Sequence, residues 1–435
     1  MNREILHITL PSIISNITVP LLALVDTTIV GHLGATAYIG AIAVGSMLFN
    51  MIYWLFGFLR MGTGGLTAQA YGSKDQQGAF HILVRSLSVA VCFSLLLFVL
   101  QSPLLYTAFL FIQTTPEIET LARLYFKILI WGAPAVLGLY SFIGWFLGMQ
   151  NARVPMMIAI VQNITNIAIS LGLVYGLGWK VEGVATGTLI AQYGGLTIAI
   201  IIWWRQYRSM KHELDWQKVL HKEDVKKFFH VNKDIFLRTL CIIAVTTYFT
   251  SAGARLGELQ LAANTLLMQF FILFSYIMDG YAYAAEALGG KYFGAHNLSR
   301  FKHLTRNLFG WGISLSALFT LTYWCGGTLL LHLLTNDEPV ISLAQDYLPF
   351  VVAIPFIAFP AFLFDGLFIG TTSTHHMLVT MGIAATLYFV VLVTCPFSNV
   401  TLWSAFLVYL GSRGATQALM MKKITAKFSL PLSRS

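Results

Sequence analysis

Residues 377–396 read MLVTMGIAATLYFVVLVTCP, 20 positions without one charged side chain. A helix needs about 20 apolar residues to cross the ~30 Å hydrocarbon core of a bilayer. This run is therefore long enough to span one. The strands of a transmembrane barrel would show apolar and polar residues alternating in segments of about ten, and here the apolar run is continuous. Comparable runs recur at roughly 5–30, 37–71, 79–101, 119–148, 154–177, 182–204, 233–254, 259–292, 302–332, 340–370 and 399–420. Twelve spanning helices take up about 240 residues, which leaves ample chain for short loops. The runs at 37–71 and 259–292 exceed one straight crossing and are expected to tilt, bend or project.

Composition agrees with this reading. Of the 435 residues, 57% are hydrophobic and 10% charged, against roughly 25% charged in soluble domains. Mean hydropathy is +0.72. Such a chain cannot cover a soluble fold with charge, which excludes a soluble enzyme, a disordered chain and a nucleic-acid-binding module. The four cysteines (Cys92, Cys241, Cys325, Cys395) fall in apolar runs and are read as small core residues, with no disulfide framework. Met1 to His7 lead straight into an apolar run with no small-residue cleavage site, which reads as a retained first span.

Loop charge sets an orientation. Lys74, Arg153, the 205–233 segment, Lys291, Arg300, Lys302, Lys422, Lys423, Lys427 and Arg434 fall on one side of a twelve-span layout. Glu117, Glu119, Asp337 and Glu338 fall on the other. Cytoplasmic loops carry the excess of Lys and Arg, so both termini are expected in the cytoplasm, with the chain in the cytoplasmic (inner) membrane. The formal net charge of +9 is then loop charge. The 205–233 segment also holds Glu213, Asp215, Glu223 and Asp224, and reads as an amphipathic helix lying at the headgroups.

The chain also repeats itself at an offset of about 222. Leu33-Gly34 matches Leu256-Gly257, Tyr71-Gly72 matches Phe293-Gly294, and Gly144-x-x-x-Gly148 matches Gly366-x-x-x-Gly370. Such glycine pairs mark close helix crossings. The expected fold is an all-α membrane protein of twelve transmembrane helices in two six-helix bundles related by pseudo-twofold symmetry. Its parts are a lobe over 1–204, a basic cytoplasmic linker over 205–232, a lobe over 233–421 and a tail over 422–435. Transporters of this build place substrate between the halves and rock them about it.

Ionisable groups at membrane depth are costly and are functional candidates by default. Asp26 lies well inside the first run, and its repeat counterpart is about Phe249, so only the first half keeps the acid. A carboxyl in a low dielectric favours its neutral form, and a group that changes charge as it meets either side can carry a proton. Pro11 and Pro20 in the same run each remove a backbone donor and can kink the helix. The fifth run offers Gln162, Asn163, Asn166 and Ser170, with Asn166 and Ser170 on one face, and the sixth adds Thr186 and Thr188. These groups read either as partners for Asp26 or as polar glue between helices. Arg60, Arg238, Asp279, Glu286 and Asp365 are further buried charges, forming either a cavity charge network or structural ion pairs. The 11 histidines have no metal-ligand spacing and the chain has no phosphate-binding GxxxxGK[ST] loop, so an ion gradient is the expected driving force.

Asp26-Thr27-Thr28-Ile29-Val30-Gly31-His32-Leu33-Gly34, Gly64-Gly65-Leu66-Thr67-Ala68-Gln69-Ala70-Tyr71-Gly72 and Asp279-Gly280-Tyr281-Ala282-Tyr283-Ala284-Ala285-Glu286 resemble the MATE (multidrug and toxic compound extrusion) family, most of all its DinF-type branch. The resemblance covers all twelve runs. It implies a V-shaped pair of six-helix lobes with a central cavity, and an ion-coupled antiporter that exports organic, often cationic or amphipathic compounds. It also implies an ion-coupling set of Asp26, Asn166 and Thr188, with Pro11 matching the family's first-helix proline and bending of that helix on protonation. Similar proteins carry a second acid where this chain has Ser170. A site with one carboxylate fewer holds Na⁺ more weakly, because ligand charge sets hard-cation affinity.

The leading expectation is therefore a proton-driven antiporter working by alternating access. Asp26 is its protonation switch, and proton and substrate each weaken the other's binding. It needs no cofactor or metal beyond the coupling ion, H⁺ or alternatively Na⁺. Its partners are small organic substrates and the bilayer, with no nucleic acid, and the chain is carried as a monomer. A flippase for a lipid-linked precursor is the alternative transport reading. An intramembrane enzyme is disfavoured, because it would need a nucleophile with its base, or a metal set, at membrane depth.

Overall fold

The computed structural model describes residues 1–31, 36–112, 114–213, 215–426 and 428, with the side chains of 19, 21–24 and 211–213 left aside. His32, the Leu33-Gly34 landmark, Lys427 and Arg434 lie outside the described residues. The described chain is helical throughout. In order come α1 (Asn2–Gly31), α2 (Thr36–Leu55), α3 (Phe58–Gly72), α4 (Gln76–Phe111), α5 (Pro116–Leu129), α6 (Ala133–Gly148), α7 (Arg153–Leu171), α8 (Val181–Tyr207), α9 (Trp216–Val219) and α10 (Lys222–Arg255). There follow α11 (Glu258–Gly294), α12 (Leu298–Leu334), α13 (Glu338–Gly370), α14 (Thr374–Thr394) and α15 (Asn399–Ala426). Pairing α2 with α3 and α5 with α6, and setting aside the four-residue α9, gives the twelve expected spans. Ten helical stretches among the described residues are long and apolar enough to cross a membrane on their own composition. The two remaining spans are α1 and α15.

The two overlong runs resolve differently. The 37–71 run breaks at Phe56-Gly57 between α2 and α3. The 259–292 run is one continuous helix of 37 residues, about 55 Å long at 1.5 Å per residue, so it tilts or projects beyond a ~30 Å core.

The chain divides into two compact units, 11–228 and 1–10 with 229–435. In the first unit α3 crosses α6 so closely that a Cβ at Gly144 would overlap the carbonyl oxygen of Arg60, and one at Gly148 would meet the carbonyl of Gly64. In the second unit α11 crosses α13 in the same way, with Gly366 against the carbonyl of Ala282 and Gly370 against that of Glu286. Both partners in each crossing keep the offset of 222 seen in the sequence.

Turns and caps keep that offset too. Among the described residues, those other than glycine with positive φ are Lys74 (62°), Gln150 (65°), His296 (52°) and Thr372 (49°), which form two pairs 222 apart. Each closes a helix in a left-handed turn. The following N–H reaches back five residues, as in Asp75 N to Ala70 O at 2.8 Å and Asn297 N to Tyr292 O at 2.9 Å. Asp75 caps α4 through Gly78 N at 2.8 Å, and its counterpart Asn297 caps α12 through Arg300 N at 2.9 Å. The repeat is thus a repeat of backbone construction, extending well beyond the glycine landmarks.

Two expectations need correction. Cys92, Cys325 and Cys395 are exposed and Cys241 is half-buried, all as free thiols. In a chain whose outer surface meets lipid, an apolar residue facing outward costs nothing, so burial does not follow from an apolar run. The 205–233 segment is not one amphipathic helix. It makes a short 3-10 turn, then α9, and its last residues are the first turns of α10. Arg85 on α4 holds it down, donating to the carbonyls of Val219 (2.7 Å) and Lys218 (2.6 Å) and to Asp224 Oδ2 (2.9 Å). The guanidinium thereby caps the C-terminal carbonyls of α9.

Candidate ion-coupling site

Asp26 lies in the last two turns of α1 and is 7% exposed. Its Oδ1 is buried with no hydrogen-bond partner among the described residues. The carboxyl is within electrostatic reach of Tyr125 on α5, a buried ring whose hydroxyl lies 3.4 Å from Ser46 Oγ.

α7 holds α1 on both sides of this acid. Asn163 Nδ2 donates to the Thr18 carbonyl at 3.0 Å, and Tyr175 Oη donates to the Ile29 carbonyl at 3.2 Å. Pro20 and Asp26 lie between these two ties. Pro11 and Pro20 sit inside a helix that continues through both. Tyr175 itself belongs to a π-helical turn, Gly172–Gly176, that follows α7. Wider turns of this kind recur at functional sites.

Asn166 and Ser170 are fully buried on one face of α7, against α8. Asn166 Nδ2 donates to Thr188 Oγ1 at 2.8 Å, and Thr188 in turn donates to the Val184 carbonyl at 2.9 Å. Ser170 packs on Gly187, where a Cβ would displace its hydroxyl. Gln162 packs on Gly195 of the same helix. Asn166 Oδ1 and Ser170 Oγ are buried oxygens without a partner among the described residues. None of these side chains hydrogen-bonds Asp26. Asp26, Asn166 and Ser170 thus each present a buried oxygen without a partner among the described residues. Arg60, half-buried on α3, contributes its backbone to the α3–α6 crossing described above.

In the other unit the structure assigns the pairs that spacing left open. Asp365 on α13 is 5% exposed. Its Oδ2 accepts from both Arg238 of α10 and Arg413 of α15, and its Oδ1 accepts from Gln417 Nε2 at 2.5 Å. Arg413 also lies 5.8 Å from the Phe362 ring centroid and within electrostatic reach of Asp279. Glu286, 2% exposed, sits further along α11. Asp365 is therefore neutralised twice over and braced from two neighbouring helices, α10 and α15, whereas Asp26 faces no cation among the described residues.

Sequence reasoning missed Arg413, Gln417 and Asp234. Arg413 is a lone charge inside the last apolar run, and the cost of intramembrane charge singles it out. Asp234 is 1% exposed and accepts from Thr374 Oγ1 at 3.1 Å. It lies one residue into the 233–254 run, beside the loop lysine Lys233.

The fold and these buried charges define a polytopic membrane transporter built from a duplicated six-helix bundle. A profile of the MatE family matches residues 11–171 and 235–410, one match in each half. The chain belongs to that family, whose members are transporters and not enzymes. It is 35% identical over 423 residues to DNA damage-inducible protein F of Escherichia coli, covering 97% of this chain and 92% of that one. It is 24% identical to a probable multidrug resistance protein NorM of Photorhabdus laumondii, over 79% of this chain and 76% of the relative. Among solved structures, a Vibrio cholerae MATE transporter in the bent form superposes with a TM-score of 0.84 at 16% identity, covering 98% of this chain and 97% of that one.

Proposed function

We propose that this chain is a proton-driven antiporter that exports organic, cationic or amphipathic compounds by alternating access, with Asp26 as its protonation switch. The observation that carries the reading is Asp26 itself, a buried carboxyl with no hydrogen bond or counter-cation among the described residues. Burying such a group is costly when it is charged, so it binds a proton readily and must be solvated or paired to lose it. Asp365 is permanently matched by two guanidinium groups and is unsuited to the task. The multidrug resistance name carried by a relative supports the substrate class. Loop charge supports a place in the cytoplasmic (inner) membrane with both termini cytoplasmic.

Protonation weakens the binding of a cationic substrate near Asp26, and substrate lowers the proton affinity by the same factor. The ties from Asn163 and Tyr175 keep the α1 segment that carries the acid in register with α7. The unsatisfied oxygens of Asn166 and Ser170 favour Na⁺ as a second reading of the coupling ion, although one carboxylate makes a weak Na⁺ site.

The test is efflux of a fluorescent lipophilic cation from proteoliposomes under an imposed pH gradient. Wild type is compared with Asp26→Asn, each with and without Na⁺. Transport that needs Asp26 and ignores Na⁺ is the expected result. Transport that survives Asp26→Asn overturns the assignment of Asp26, and transport that requires a Na⁺ gradient replaces the proton as coupling ion.

A further inference from the structure

α12 contains 37 residues and is about 55 Å long at 1.5 Å per residue. A hydrocarbon core of ~30 Å leaves about 12 Å of such a helix beyond each boundary. Arg306, eight residues after the helix start at Leu298, is about 12 Å along it and so falls at the level of the headgroups. There the structure has a groove of about 400 Å³ lined by Asn2, Arg306, Asn307, Gly310, Trp311 and Ser314.

Its chemistry is that of an anion subsite on an apolar floor. Arg306 is exposed and makes no ion pair or hydrogen bond among the described residues. Asn307 Nδ2 donates to Asn2 Oδ1 at 3.0 Å, which fixes the two amides side by side and leaves the Asn2 amide protons as donors. Ser314 donates to the Gly310 carbonyl at 3.0 Å. Arg300, Lys302 and His303 are exposed on the preceding turns of the same helix. The carboxylate beside Asn2 does not cancel this charge. Burial pushes the Glu4 carboxyl up, but Lys291 and the Tyr292 hydroxyl outweigh burial and hold it below its ordinary range. Lys291 Nζ is 3.6 Å from Glu4, and Tyr292 donates to it at 3.2 Å. Below Arg306 a Cβ at Gly310 would meet nothing within 4 Å, so the groove stays open along the helix beside the Trp311 ring.

We propose that this groove binds the phosphate of an anionic phospholipid headgroup, with the Arg306 guanidinium and the Asn2 amide on the phosphate and the glycerol and upper acyl chain lying over Gly310 against Trp311. A guanidinium fork matches phosphate oxygens in geometry and charge. Basic pockets at the cytoplasmic ends of membrane helices suit such headgroups, and an interfacial tryptophan suits the boundary below them. Assignment to the inner leaflet rests on the orientation proposed above, whereas binding itself does not.

The experiment is native mass spectrometry of the full chain released from nanodiscs of phosphatidylcholine mixed with phosphatidylglycerol. Wild type is expected to retain phosphatidylglycerol over phosphatidylcholine, and Arg306→Gln to lower that preference about fivefold, the worth of one basic residue at such a surface. Gly310→Leu keeps the charge, fills the groove and favours the helix, and it should lower retention as well, so the test survives if Arg306→Gln fails to fold. Lys423→Gln, which removes an exposed charge elsewhere, should leave the preference unchanged. Equal retention by wild type and both groove variants overturns the site, and so does an equal loss in Lys423→Gln. If millimolar inorganic phosphate displaces the lipid and is itself retained, the ligand is a free anion and the lipid assignment fails.

Discussion

The two best-defined buried carboxyls should respond in opposite ways to the same change of one atom. Asp365→Asn removes the charge on which Arg238 and Arg413 converge. It leaves two guanidinium groups, each under a tenth exposed, with their shared counter-ion gone. Breaking a buried pair by removing one partner costs about 3–5 kcal/mol, which is about a hundredfold or more in the folded-to-unfolded ratio at 1.4 kcal/mol per factor of ten. Asp26→Asn removes no hydrogen bond and no ion pair among the described residues, and it relieves the burial of a charge. It should stay within about 1 kcal/mol of wild type. Thermal unfolding in detergent, followed by tryptophan fluorescence, reads both. Asp365→Asn is expected to unfold well below wild type, and Asp26→Asn alongside it with coupled efflux lost. Adding Arg413→Gln to Asp365→Asn should recover part of the loss, since the two sites share one interaction and cannot be additive. The reasoning is refuted if Asp26→Asn destabilises as much as Asp365→Asn, or if Asp365→Asn unfolds with wild type.

Other consequences follow from the same geometry. Gly144→Ala and Gly366→Ala each drive a methyl into a backbone carbonyl of the crossing helix and should each cost about 1–3 kcal/mol in unfolding measurements, whereas Gly382→Ala meets nothing within 4 Å and should stabilise by about 0.5–1 kcal/mol. Arg85→Gln takes the guanidinium off the Lys218 and Val219 carbonyls and should make residues 205–222 cut faster in limited proteolysis while leaving the spans intact. Glu4 is held below its ordinary range, so its contribution is present at neutral pH and is lost as pH falls through the carboxylate range below about 4.3. The acid limb of a stability–pH curve should therefore be shallower in Glu4→Gln than in wild type.

The spans were legible because bilayer thickness imposes a single length scale on apolar runs, and the duplication because three glycine landmarks keep one register. What was not legible depended on packing. Arg238, Asp365 and Arg413 lie on helices 127 and 48 residues apart in sequence, and no local spacing encodes their meeting. Nor does an apolar run say which of its faces turns outward, which is why the cysteines were misplaced. The break at Phe56-Gly57 and the unbroken α11 differ by local choice within the same repeat frame. Glycine at position 57 corresponds to Asp279, so the second half has no glycine at the breaking point.

The repeat also explains why the two halves should not share the work. Caps, left-handed turns and glycine crossings are kept between the halves at an offset of 222, but the acid of α1 and the Asp365 cluster are not. Asn166, Ser170 and Thr188 correspond to Tyr388, Leu392 and Leu410, and the acid of α1 falls against the Tyr248-Phe249 pair. In the other direction, Asp365, Arg413 and Gln417 correspond to Ile143, Ala191 and Gly195. At these positions, therefore, no charged side chain of one half is matched by a charged side chain of the other. One half keeps an acid and oxygens without partners, which is an unstable arrangement unless a ligand or proton completes it. The other binds Asp365 into a matched cluster with Arg238, Arg413 and Gln417, from which removing one partner is costly. The proton coupling proposed above needs a site that is chemically unfinished until a proton completes it. Asp26 has that character and Asp365, held by two guanidinium groups, does not.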